Sequence, residues 1–77
     1  MSEATPTTTG GRPVRVVYTN YRGETATRTI LPERIWFGTT SWHPRPQWLL
    51  DAVDLEKGAL RSFAIADIRS WAEVVQP

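Results

Sequence analysis

The chain contains no cysteine, which excludes a disulfide framework and any thiolate metal site. It also lacks a run of about 18 apolar residues, which excludes a helical membrane span. No basic start followed by an apolar stretch opens it, so a signal peptide is not expected. Neither sign of charge dominates: nine Lys and Arg stand against eight Asp and Glu, a net charge of +1. A protein that holds nucleic acid by bulk electrostatics is far more basic, so any anion site here has to be local. The single histidine, His43, has no cysteine or spaced carboxylates to complete a ligand set, so neither metal nor cofactor is expected. Gly10-Gly11 is the only glycine pair and no helix pattern follows it, which argues against a phosphate loop. The cysteine-free composition fits a reducing compartment, and a cytoplasmic location is the expectation.

Seventy-seven residues make one small domain. A chain of this size buries only about 60% of its unfolded surface. The four tryptophans, each able to bury on the order of 200 Å², therefore look like its main source of burial, with two or three in the core and at least one outside. Residues 1–13 carry no large apolar side chain beyond Met1 and read as a disordered tail. The folded domain is expected over 14–75.

Val14 to Tyr21 is dense in β-branched and aromatic residues and reads as a strand. Asn20 to Glu24 supplies a turn in which Gly23 is free to take positive φ. Thr25 to Leu31 alternates, with threonines on one side and Ala26, Arg28 and Ile30 on the other. Pro32 has no amide hydrogen for a ladder and is expected to end that strand. A short third strand then covers Glu33 to Phe37, followed by a proline-bounded loop over 38–46. Strands over Trp48–Asp54 and Ala59–Ile65 flank a four-residue loop, which sets Leu50 opposite Phe63 and Trp48 opposite Ile65. A three-residue loop with Gly58 in a bulge would slip that register by one. Ile68, Trp71 and Ala72, spaced by three and four, predict a short helix over 67–74 capped by Asp67. The fold class is thus mainly β: a small five-stranded closed barrel with a short C-terminal helix, closure removing exposed edges.

Catalysis finds little support in this pattern. Ser41 lies two residues from His43, outside any strand-turn-helix elbow, and His43 is expected to pack or bond within its loop. Alternation puts Asp51 and Asp54 on opposite faces, so they form no acid-base pair. Arginines and aromatic rings together make a platform for nucleotides and single strands. Arg28, Arg61, Arg45 and Trp48 are the candidate ligand or nucleic-acid-binding residues, with Arg28, Arg61 and Trp48 expected in one anion-accepting patch. Solvated arginines, or pairs with Glu24, Asp51 or Asp54, are the plainer alternative.

From about Val16 to Ile68 the chain resembles the WYL domain of bacterial regulators. The matching features are Tyr18-Thr19-Asn20, Gly23-Glu24, Arg28-Thr29-Ile30, Pro32, Trp48-Leu49-Leu50, Asp54, Gly58 and Arg61-Ser62-Phe63 with Ile65 and Ile68. The resemblance implies an SH3-like (Sm-like) barrel and a ligand-sensing or nucleic-acid-contacting role in transcriptional control or in phage and CRISPR defence. Three positions depart from the family. Leu49 stands in place of the tyrosine of its name, Ala64 in place of a frequent arginine, and Asp67 in place of a basic residue. These side chains are thought to line the family's effector pocket, so its ligand chemistry does not carry over directly. No helix-turn-helix precedes the barrel segment, and a stand-alone module is the expectation. It is read as non-enzymatic, binding single-stranded nucleic acid or an anionic nucleotide-like effector, with no membrane partner. The alternative is a protein-interaction module docking through an exposed Trp-bearing face, and a homodimer is compatible with either.

Overall fold

A computed structural model describes residues 12–74; the expected disorder of residues 1–11 lies outside them. Five antiparallel strands follow one another: β1 (Val14–Thr19), β2 (Thr25–Gly38), β3 (Gln47–Asp54), β4 (Ala59–Ala64) and β5 (Ile68–Glu73). They form one sheet in the order β4-β3-β2-β1-β5. The first turn forms as its residues suggest, with Gly23 at φ 82°, and Gly58 in the β3–β4 turn takes φ 65°. That second turn has the four-residue length, so Leu50 faces Phe63 and Asp54 faces Ala59. The ladder stops at Leu49 and Ala64, leaving Trp48 without the Ile65 partner expected for it.

Two segments differ from the sequence expectation, and one device explains both. Pro32 does not divide two strands. Pro32 pairs with Ala52 and Arg34 with Asp51, so Glu33 is an extra residue. A bulge there lets the strand pass a residue that cannot donate. Because the bulge adds one residue, Ile30 and Ile35 end on the same face despite their odd spacing. The segment expected as a helix is β5, and it too is bulged: Val17 pairs with Ser70 but Tyr18 with Ile68, skipping Arg69. Ile68 and Trp71 thereby share one face at a spacing of three, the spacing that mimics a helix. Arg69 itself donates from Nε to Thr19 Oγ1 (3.2 Å). Six residues would make a marginal helix, whereas as a strand they cover the otherwise open edge of β1.

The sheet does not close. No ladder joins its outer strands β4 and β5, so the expected SH3-like barrel gives way to an open five-stranded sheet. A single 3₁₀ turn, Ile65–Asp67, links those two strands directly and carries the chain from one outer edge of the sheet to the other. The sheet is nevertheless curled. Three inter-strand spacings, about 14 Å on a flat sheet, separate β1 from β4, yet the Tyr18 hydroxyl on β1 accepts a hydrogen bond from the Ala64 N–H on β4 (3.1 Å). A side chain thus ties β1 to β4 across the concave face, where no backbone ladder joins them.

The core lies on the concave face. Val14, Val16 and Tyr18 alternate inward from β1 and meet Ile30, Leu50, Ala52 and Phe63, with Ile65 and Ile68 packed against them. Phe63 is 5% exposed, and Tyr18 meets its ring edge-on at 4.9 Å. The tryptophans do not supply the core. Trp42, Trp48 and Trp71 are at least half exposed and Trp36 is half-buried. Trp42 sits on a loop, and Trp48 and Trp71 lie where the sheet opens. Aliphatic side chains and two smaller rings fill the interior instead.

Candidate anion-binding cleft

Alternation along β2 puts Arg28 on the face of Ile30, and alternation along β4 puts Arg61 on the face of Phe63. Curling of the sheet turns that face inward, so both arginines line one cleft of about 380 Å³. This volume lies within the usual range for small-molecule sites. The β3–β4 turn adds Lys57. Asp54 holds that turn: its Oδ1 accepts the N–H of Glu56 (3.0 Å) and of Lys57 (3.2 Å), and its carbonyl accepts that of Gly58 (2.7 Å). The other carboxylate oxygen accepts a long bond from Arg28 Nη1 (3.5 Å), and Arg28 keeps 25% of its side chain exposed against 3% for Asp54. One buried carboxylate therefore shapes the turn and anchors Arg28.

The β1–β2 turn forms the opposite rim. Asn20 Oδ1 accepts the N–H of Arg22 (2.9 Å) and of Glu24 (3.0 Å), and Asn20 Nδ2 donates to Glu24 Oε1 (3.1 Å). That occupies Glu24 and presents Tyr21 and Arg22 to the cleft. A third wall comes from the loop after β2. Thr40 Oγ1 accepts the N–H of Trp42 (3.2 Å) and of His43 (3.0 Å), folding the loop back so that His43 is buried and Trp42 is exposed. His43 Nε2 lies 3.3 Å from the Tyr18 hydroxyl and Nδ1 lies 3.1 Å from Thr40 Oγ1. Trp42 meets Tyr21 with ring centroids 5.1 Å apart.

Four cations, Arg22, Arg28, Lys57 and Arg61, line the cleft against one carboxylate, Asp54. The lining thus holds more positive charge than the whole chain, whose net charge is +1. Burial pushes the Tyr18 phenol above its ordinary pKa, and nearby Asp67 adds to this. The Ala64 N–H and Arg28 pull the other way. At neutral pH the hydroxyl stays protonated and able to donate.

On the convex face Asp51 makes a separate cluster. It accepts from Ser62 Oγ (2.6 Å), Trp36 Nε1 (2.9 Å) and Arg34 Nε (3.0 Å). Burial pushes its pKa up, but these three bonds and the Arg34 charge outweigh it and hold it below the ordinary value. Asp51 and Asp54 thus serve opposite faces, as alternation requires. Among the described residues no group of His, Asp and Glu is placed to hold a metal.

Of the four residues singled out from sequence, Arg28 and Arg61 are brought together. Trp48 and Arg45 lie outside the cleft lining. Trp48 is the second residue of β3, six before Asp54 and about 20 Å from it along the strand, and packs edge-on against Phe37 (5.3 Å). Arg45 is exposed in the loop, where its carbonyl accepts from Gln47 Nε2 (3.1 Å). Sequence reasoning did not name Tyr18, Tyr21, Arg22, Trp42, His43 or Lys57 as site residues. Only the lone His beside a Trp in a proline-bounded loop offered a signal. Leu49 and Ala64, two of the three departures noted above, are opposing partners with no exposed surface. Neither lines the cleft.

No curated protein and no solved structure matches the chain. No helix among the described residues is long and apolar enough to cross a membrane. The WYL domain family matches residues 8–73, and WYL domains are in general regulatory, ligand-sensing and non-catalytic modules. With the match covering nearly all of the 77 residues, the chain belongs to the WYL domain family.

Proposed function

We propose that the cleft binds an anionic ligand with a planar ring, a nucleotide or a short single strand of nucleic acid, and that this binding is the sensing step of a regulator. The observation that carries this reading is the convergence of four cations and two exposed aromatic rings, Tyr21 and Trp42, around one cleft. Guanidinium groups suit phosphate oxygens, and a ring face accepts any base by stacking. Arg45, on the loop that carries Trp42, is assigned to a strand long enough to leave the cleft. Trp48, at the far end of β3, is assigned no part in the small-ligand site. The reading assigns no reaction to the cleft. It places the module in the cytoplasm, where nucleotide effectors are met, and in transcriptional or anti-phage control.

The test is a titration with nucleoside monophosphates and short single-stranded oligonucleotides at several salt concentrations. Binding should weaken with salt by roughly 0.7 log units per log unit for each phosphate engaged on a single strand. Arg28→Ala and Arg61→Ala should each weaken it. A salt-independent affinity, or binding unchanged in both variants, would remove the reading.

A second reading, as a protein-docking module, rests on a different observation. Ile35, Phe37, Trp48 and Trp71 are all exposed at the other end of the concave face.

A further inference from the structure

The two bulges have a consequence at that end. Skipping Glu33 turns Ile35 onto the concave side, and skipping Arg69 turns Trp71 there. With Leu50, Ile65 and Ile68 they line a groove of about 240 Å³ whose lining, among the described residues, is wholly of apolar side chains. Directly beside it stand Trp48 and Phe37, rings in contact, 57% and 56% exposed. Trp48 and groove-lining Leu50 are two residues apart on one strand and one face, about 7 Å. A projecting aromatic pair and an apolar hole therefore adjoin on a single patch.

That juxtaposition selects an occupant. An isologous interface requires a patch complementary to itself, so that a two-fold axis seats each copy's projection in the other's recess. We propose that the face is occupied by a second copy of this chain, each copy's Trp48 entering the groove between Ile35 and Trp71 of the other. The area fits. Phe37, Trp48 and Trp71, each about half exposed and each worth about 150–250 Å² when buried, together with the smaller Ile35 offer about 400 Å² per copy. Two copies give about 800 Å² of apolar centre, and a polar rim of about 400 Å² more is what the interface needs to reach the 1,200 Å² at which stable ones begin. Among the described residues the groove lining carries no charge, so two copies bring no like charges together within it. Both anion clefts lie at the far ends of β3 and stay open, and two linked clefts give a bivalent binder. The proposal stands whether or not the clefts bind a nucleotide.

Sedimentation velocity of the full chain over a wide concentration range is the test, with Trp48→Ser and a control, Trp42→Ser, in the cleft. The parent and Trp42→Ser should sediment as dimers, and Trp48→Ser as a monomer with unchanged far-UV circular dichroism. A parent that stays monomeric throughout, a Trp48→Ser variant that still dimerises, or open-ended assemblies would overturn the proposal. Should Trp48→Ser fail to fold, the parent decides by NMR. The indole N–H signals of Trp48 and Trp71 must shift with concentration while that of Trp42 does not, and the reverse pattern overturns it.

Discussion

Removing one oxygen, in Tyr18→Phe, tests how an open sheet holds its curl. The ring contact with Phe63 is kept and only the hydroxyl is lost. That hydroxyl is the acceptor for the Ala64 N–H, on a residue with no exposed surface at the outer edge of β4, where no strand offers a carbonyl. Leaving a buried donor unsatisfied costs about 1–3 kcal/mol, and His43 Nε2 loses its neighbour as well. The expected loss is about 2 kcal/mol, which in a domain of this size lowers Tm by about 8–16 °C. Thermal unfolding measures the loss, and amide exchange at Ala64 locates it. The sign with pH also follows. The phenol's folded-state pKa is raised, chiefly by burial, so its contribution is complete below the ordinary tyrosine value and is lost as pH rises through the folded value. The parent should destabilise on that alkaline side, and Tyr18→Phe should lack this component. A variant melting within about 3 °C of the parent, with Ala64 protection unchanged, would refute the idea that this phenol ties β1 to β4.

Phe63→Ala should cost about 3–5 kcal/mol through lost burial and the cavity left behind, a large share of the roughly 4–12 kcal/mol expected for a chain this short. Denaturant unfolding measures it, and a loss below about 1 kcal/mol would contradict the core described here. Asp51→Asn addresses the convex face. The Asp51 pKa is lowered by Ser62, Trp36 and Arg34 acting against burial, so its contribution is complete above the ordinary carboxylate range and is lost as pH falls through the folded value. The variant should be less stable at neutral pH and lose less on acidification; parallel stability–pH curves for the two proteins would refute it.

Local chemistry was legible where neighbouring residues decide it. Asp54 and Gly58 mark the β3–β4 turn, and with its length known the Leu50–Phe63 register and the shared face of Arg61 and Phe63 follow. Arg28 beside Ile30 was legible for the same reason, as was its need for a partner, which Asp54 supplies. The bulges at Glu33 and Arg69 were not. A bulge is set by the partner strand: at Glu33 it keeps β2 continuous past Pro32, whose missing amide argued for a break, and at Arg69 it inverts the alternation and lends β5 a helical spacing. Trp42 and His43 reach the cleft because Thr40 folds their loop back locally and His43 meets Tyr18 of β1, a tertiary contact that residue spacing does not encode. The tryptophans misled because size argues for burial only where an element has a covered face to offer.

The four indole N–H signals give the most direct test of the central claim, since each tryptophan reports a different surface. Trp42 lines the cleft, Trp36 lies on the convex face, and Trp48 and Trp71 flank the apolar end. Adding a nucleoside monophosphate at low salt should shift the Trp42 signal and leave the other three in place, with the shift abolished in Arg28→Ala or Arg61→Ala. Four unmoved signals, or movement confined to Trp48 and Trp71, would contradict the assignment of this cleft as the ligand site.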